Sequence, residues 1–230
     1  MKYVGSIADF LLVVTVYFIG QFAVVGVIRS SGITTSEQLY ARPGVLTAAY
    51  ICGGLVVLVS TYLVMRYRKV TFKDISLGKP KFVDVGYGLL GFGAYFILVR
   101  IVLVVVGVLV PAINLQEAQN IGLKNISSGI LPIAFLALAV LPPLSEELLF
   151  RGFFLQRLLK HKIAPVFAAL VVSATFGVMH GQWNVGIDTF VLSMVMIYTL
   201  NIRKSLWVTV SMHLIKNTLA FLALFVFKIV

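Results

Sequence analysis

Apolar residues run along this chain in long blocks, near residues 6–28, 44–65, 83–110, 129–156, 164–180, 184–202 and 205–228. A helix needs about 17–25 mostly apolar residues to cross a bilayer, so the pattern predicts about seven transmembrane spans. The last three blocks are short and closely joined, which leaves counts of six or eight open. The expected fold is all-α, a polytopic membrane helical bundle. No repeat, low-complexity tract or long polar loop interrupts the pattern, so residues 1–230 read as a single integral membrane domain. Met1-Lys2 precedes an apolar stretch too long for the core of a signal peptide and without a small-residue cleavage site, and it reads as a retained first span.

The polar connections carry the orientation. Lys2, Arg66, Arg68, Lys69, Lys73, Lys79, Lys81, Arg157, Lys160, Lys162, Arg203 and Lys204 fall on one side of a seven-span arrangement, 12 of the 19 basic residues. Only Arg29, Arg42, Lys124 and Lys228 fall on the other. Cytoplasmic loops are enriched in lysine and arginine, so the amino terminus is expected inside and the carboxyl terminus outside. Composition agrees: 60% of residues are hydrophobic, 12% are charged and the mean hydropathy is +1.03. The net charge of +11 is accounted for by topology and anionic lipid, and no nucleic acid is needed to explain it. Cys52 is the one cysteine, which excludes a disulfide framework and a cysteine-based metal site.

Polar residues inside the apolar blocks mark where chemistry can sit, because a charge at membrane depth costs about 2.5–3.5 kcal/mol on insertion scales. The run LSEELLFRGFF, Leu144 to Phe154, places Glu146, Glu147 and Arg151 within six residues. On a helix Glu147 and Arg151 are one turn apart and can pair, while Glu146 is turned about 100° away. Pro142-Pro143, just before them, should bend or break the fourth span. Gly86, Gly88, Gly91 and Gly93 would let a neighbouring helix approach the third span, and Arg100 and Asp188 are candidates for a buried pair, with each other or with Glu147. Of the three histidines, His161 lies in a basic connection, His180 ends the fifth block, and His213 precedes Asn217 by one helical turn.

This set suits hydrolysis. A glutamate can take a proton from water, and histidine or asparagine donors can stabilise the oxyanion formed when that water attacks a carbonyl. No GxSxG and no Cys-His arrangement competes with it. Two histidines and a glutamate are also a three-ligand set for catalytic zinc, although HExxH is absent.

Glu146-Glu147-x-x-x-Arg151, Phe176-x-x-x-His180 and His213-x-x-x-Asn217, in that order within apolar segments, resemble the CPBP family of intramembrane proteases, which includes the CAAX prenyl endopeptidases and bacterial bacteriocin-processing or self-immunity (Abi) proteins. The resemblance covers roughly residues 130–220. It implies a helical bundle with an intramembrane cavity, Glu146 as the base that activates water, Glu147 and Arg151 as supporting residues, and His180, His213 and Asn217 as ligands or oxyanion donors. Phe176 would be a packing residue. Zinc on His180 and His213 and a metal-free, glutamate-dependent mechanism both remain open; Asn217, a poor zinc ligand and a good oxyanion donor, favours the second. The expected substrate is a peptide or membrane-anchored protein cleaved at the bilayer. The rival readings are a transporter, which inverted repeats would favour, and a catalytically silent scaffold.

Overall fold

The computed structural model describes residues 2–117, 123 and 126–229. Lys124, assigned above to the outer side, lies outside the described residues. Among them the regular structure is helical throughout. The long helices are α1 (Lys2–Ser30), α2 (Pro43–Tyr67), α3 (Phe82–Leu109), α4 (Leu131–Lys160), α5 (Pro165–Val178), α6 (Trp183–Arg203) and α7 (Leu206–Phe221, with a π-helical extension Leu222–Val226). Six of these are long and apolar enough to cross a membrane, so the protein is a multi-pass, all-helical membrane protein. The block at 164–180 is the exception, because α5 has 14 residues and at 1.5 Å per residue is about 21 Å long, against a hydrocarbon core of about 30 Å.

The chain divides into two compact units: Met1–Ser6, Phe72–Gln119 and Phe150–Met212 form the first, and Ile7–Thr71, Asn120–Leu149 and His213–Val230 the second. In the first unit, α3 buries one stripe at helical spacing, Asp84, Gly88, Gly91, Tyr95 and Val99, and leaves most of its other apolar side chains, among them Leu90, Val104 and Leu109, exposed as lipid would require. Tyr95 and Val99 join Val191, Leu192, Val195, Met196 and Met212 in a core. A side chain on Gly88 would come within 2.8 Å of Ser211 Cβ, and one on Gly91 within 2.7 Å of Met212 Sδ, whereas Gly86 and Gly93 face open space. Two of the four glycines therefore do the packing expected of all four. Helices α5 and α6 approach closely at Gly177 and Gly186, where a Cβ on Gly177 would lie 2.6 Å from the Gly186 carbonyl oxygen. A buried Ser173–Ser193 hydrogen bond of 2.7 Å joins the same pair. Such bonds average only about 0.6 kcal/mol in membranes, so the close packing of the two backbones contributes more to holding the pair together.

Asp188 accepts a hydrogen bond from Tyr95, and the guanidinium of Arg100 lies over the ring of Phe96 at 5.2 Å. Two of the basic residues that set the topology meet buried carboxylates: Arg203 is 3.0 Å from Asp84 in the first unit, and Arg68 is 2.6 Å from Asp9 in the second. In the second unit, α2 packs along the Leu141–Glu147 part of α4, with Gly54 seated against Leu141.

Candidate active site

Helix α4 carries Glu146 and Glu147 in the second unit, and its course follows from two prolines. Leu131–Phe135 is α-helical, Leu136–Val140 is π-helical, Leu141–Glu147 is α-helical again and Leu148–Phe154 is π-helical. Pro142 and Pro143 sit in the first turn of the Leu141–Glu147 stretch, the one place in a helix where a missing N–H costs least. The expected break is thus a change of register within one helix. Ser145 Oγ donates to the carbonyls of Leu141 and Pro142 at 3.0 and 3.1 Å, tying down the turn before the glutamates.

That turn leaves the two glutamates in different surroundings. Glu147 is wholly buried and its Oε1 lies 2.9 Å from His213 Nδ1 on α7. An ionised Glu147 only accepts, and the contact then has Nδ1 donating. The other ring nitrogen, Nε2, is 3.9 Å from Glu146 Oε2, and the Glu146 side chain keeps 20% of its surface exposed. The order is therefore buried carboxylate, imidazole, accessible carboxylate. A separation of 3.9 Å is beyond a direct hydrogen bond, yet one oxygen atom can lie about 2.8 Å from both Oε2 and Nε2. One turn beyond His213, Asn217 Nδ2 donates to the Leu138 carbonyl at 3.2 Å. Tyr17 of α1, hydrogen-bonded to Gln21, interacts electrostatically with Glu146. Nothing in the sequence motifs drew attention to Tyr17; a tyrosine and a glutamine one turn apart in the first apolar block were the available signal.

The first unit holds Arg151, Phe176 and His180. Arg151 is fully buried, with its guanidinium 4.3 Å from the centroid of the Phe176 ring. Phe150 and His180 meet the same ring edge to face at 4.9 and 4.8 Å. Phe176 is thus more than filler, since it receives a cation on its π system, where the ring quadrupole favours it. His180 follows the end of α5. Its backbone N–H turns back to Gly177 at 3.1 Å, which takes it from the Phe176 carbonyl, its α-helical partner. The imidazole Nδ1 donates to that carbonyl instead, at 2.7 Å. Four-residue spacing between phenylalanine and histidine is what lets the ring cap this helix end.

Spacing alone also paired Glu147 with Arg151. Within its own unit Glu147 meets His213, and within its own unit Arg151 meets Phe176; the helix from Leu148 to Phe154 is in π register, where the repeat is five residues rather than four. As for zinc, among the described residues no group of three or more histidine, cysteine, aspartate or glutamate side chains stands so as to hold a metal ion.

Residues 128–219 match a family model described as type II CAAX prenyl endopeptidase Rce1-like. No curated protein and no solved structure matches the chain. The matched segment contains all six candidate residues, Glu146, Glu147, Arg151, His180, His213 and Asn217, in the motifs that carried the resemblance. Over residues 128–219 this membrane protein is similar to the Rce1-like type II CAAX prenyl endopeptidases.

Proposed function

We propose that this protein is an intramembrane endopeptidase that hydrolyses a peptide bond with water activated by Glu146. The observation that carries the reading is the Glu147–His213–Glu146 order, 2.9 Å on one side of the imidazole and 3.9 Å on the other. With an imidazole proton held on Nδ1 by Glu147, His213 turns Nε2 toward Glu146. Water between them donates one O–H to Glu146 and the other to Nε2, so its own lone pair faces a substrate carbonyl. Glu146 takes the proton as the oxygen attacks, and the tetrahedral intermediate collapses with that proton passing to the leaving nitrogen. Fixing the water before attack offsets entropy that a free water would lose in the transition state.

The substrate class that fits a membrane-embedded site is a peptide or membrane-anchored protein cut near the bilayer, in CAAX-type processing or in bacteriocin processing and immunity. Purified protein in liposomes, given a membrane-anchored peptide, tests the reaction and its metal dependence together. Activity is expected to survive prolonged 1,10-phenanthroline, and elemental analysis is expected to find less than one zinc per chain. Stoichiometric zinc, with chelator-sensitive activity restored by zinc, would replace the glutamate-only mechanism and leave the protease reading standing.

The proposed topology has the amino terminus inside, from the distribution of basic residues across the loops, and the carboxyl terminus outside, which requires the short α5 to cross as a seventh span beside the six longer helices. Reporter fusions at Lys73 and Lys162 should read internal and one at Lys228 external. An internal reading at Lys228 would mean that α5 enters the membrane without crossing it.

A further inference from the structure

Leu138 carries a backbone carbonyl whose usual partner is missing. In an α-helix the donor is the N–H four residues on, and in a π-helix five residues on. Those positions are Pro142 and Pro143, and neither has an N–H. Leu141, the residue before them, gives its N–H to Leu136. In either register Leu138 is therefore a carbonyl that faces a proline. Asn217 of α7 donates to it from Nδ2 at 3.2 Å, a side-chain amide standing where the helix lacks a backbone amide. An apolar medium makes such a substitute necessary, because water does not reach in to satisfy the group.

The position of this bond matters for the chemistry. Asn217 is one turn from His213, which is bonded to Glu147, so α7 holds α4 at two points. The points are nine residues apart on α4, Leu138 and Glu147, but only four apart on α7. Helix carbonyls point along the chain while side chains lean back toward the amino end, which brings the Leu138 oxygen and the Glu147 carboxylate toward each other and lets two neighbouring residues of α7 reach both.

We propose that Asn217 is a positioning residue whose carboxamide supplies the N–H withheld by Pro142 and Pro143 and so sets the register of the glutamate-bearing turn against His213. The inference rests on the glutamate–histidine reading above and deepens it. It gives the amide to the protein backbone, where the family resemblance would give it to the substrate oxyanion.

A double-mutant cycle in the full-length protein separates the two roles, with kcat and KM measured on a membrane-anchored peptide in liposomes. Asn217→Leu keeps the shape and removes the donor, and kcat is expected to fall about 10²-fold, as for a catalytic group displaced by an ångström, with KM little changed. Pro142→Ala/Pro143→Ala returns backbone donors to the helix, and in that background Asn217→Leu should cost less than about 3-fold, the non-additivity expected of groups serving one acceptor. An equal loss in both backgrounds overturns the proposal, since an amide acting on substrate gains nothing from restored helix donors. If the double proline variant does not fold, Pro142→Ala and Pro143→Ala singly provide the background, and relief by at least one is required. Asn217→Asp, which keeps the acceptor but loses both N–H groups, should fall with Asn217→Leu; near-normal kcat for it also overturns the proposal. Glu146→Gln is assayed alongside. Activity in Glu146→Gln with relief in the cycle removes the base assignment and leaves the positioning role, whereas an inactive Glu146→Gln with an additive cycle does the reverse.

Discussion

Glu146→Gln should lower turnover by at least about 10²-fold, the lower end of what a general base contributes, while the protein stays folded and inserted. The amide matches the carboxylate in volume and can still accept a hydrogen bond from water, but it cannot take the proton. Because the Glu146 side chain is partly exposed and stands 3.9 Å from His213, outside hydrogen-bond reach, the substitution leaves packing intact. Its effect on stability should stay within about 0.5 kcal/mol, as for substitutions away from buried networks. The measurement is kcat in liposomes beside a thermal unfolding curve in detergent. Near-normal proteolysis would remove Glu146 from the mechanism, and a large drop in Tm would mean that lost activity reports unfolding rather than chemistry.

The parts of this site that were legible in the sequence are those set by neighbours along the chain. Three ionisable residues within six, two prolines before them and a histidine one turn from an asparagine all have local physical meaning, and the structure bears out the helical setting of each. The apolar blocks likewise became helices. The fifth helix ends at Val178, short of its block, because the chain turns there: His180 N–H bonds back to Gly177 and Gly181 takes a positive φ. What could not be read was everything that depends on the third dimension. Glu147 and His213 are 66 residues apart, so a rule for residues one turn apart could not find that contact. The same rule could not foresee that the stretch from Leu148 to Phe154 is π-helical. Nor could it say which of four closely spaced glycines faces a neighbour: Gly88 and Gly91 share the buried stripe of α3 with Tyr95, and Gly86 and Gly93 do not. The division of labour between the two glutamates was half visible, in their 100° separation, but burial decided it.

That division makes Glu147→Gln the sharper test of how the site works. Glutamate at this position can only accept, so it holds the proton of His213 on Nδ1 and keeps the Nε2 lone pair toward Glu146. Glutamine is the same size but offers both a carbonyl and an NH2 group. When its NH2 turns toward Nδ1, the imidazole proton moves to Nε2, and the nitrogen meant to accept from water becomes a donor. The expected loss in kcat is roughly 10²- to 10⁴-fold, the upper end being the cost of the same amide exchange where a carboxylate orients a catalytic histidine. Glutamine matches glutamate in volume and its carbonyl still accepts from Nδ1, so the packing around the fully buried position should survive. Glu147→Ala, in contrast, leaves a buried N–H without its acceptor and should cost about 1–3 kcal/mol of stability as well. Nitrogen-15 chemical shifts of His213, with the resonance assigned by His213→Gln, read the tautomer directly: protonated at Nδ1 in the native protein, and shifted toward Nε2 or mixed in Glu147→Gln. An active Glu147→Gln enzyme with its tautomer unchanged would show that Glu147 does not orient His213 for catalysis, and the imidazole would then have to be placed by its helix alone.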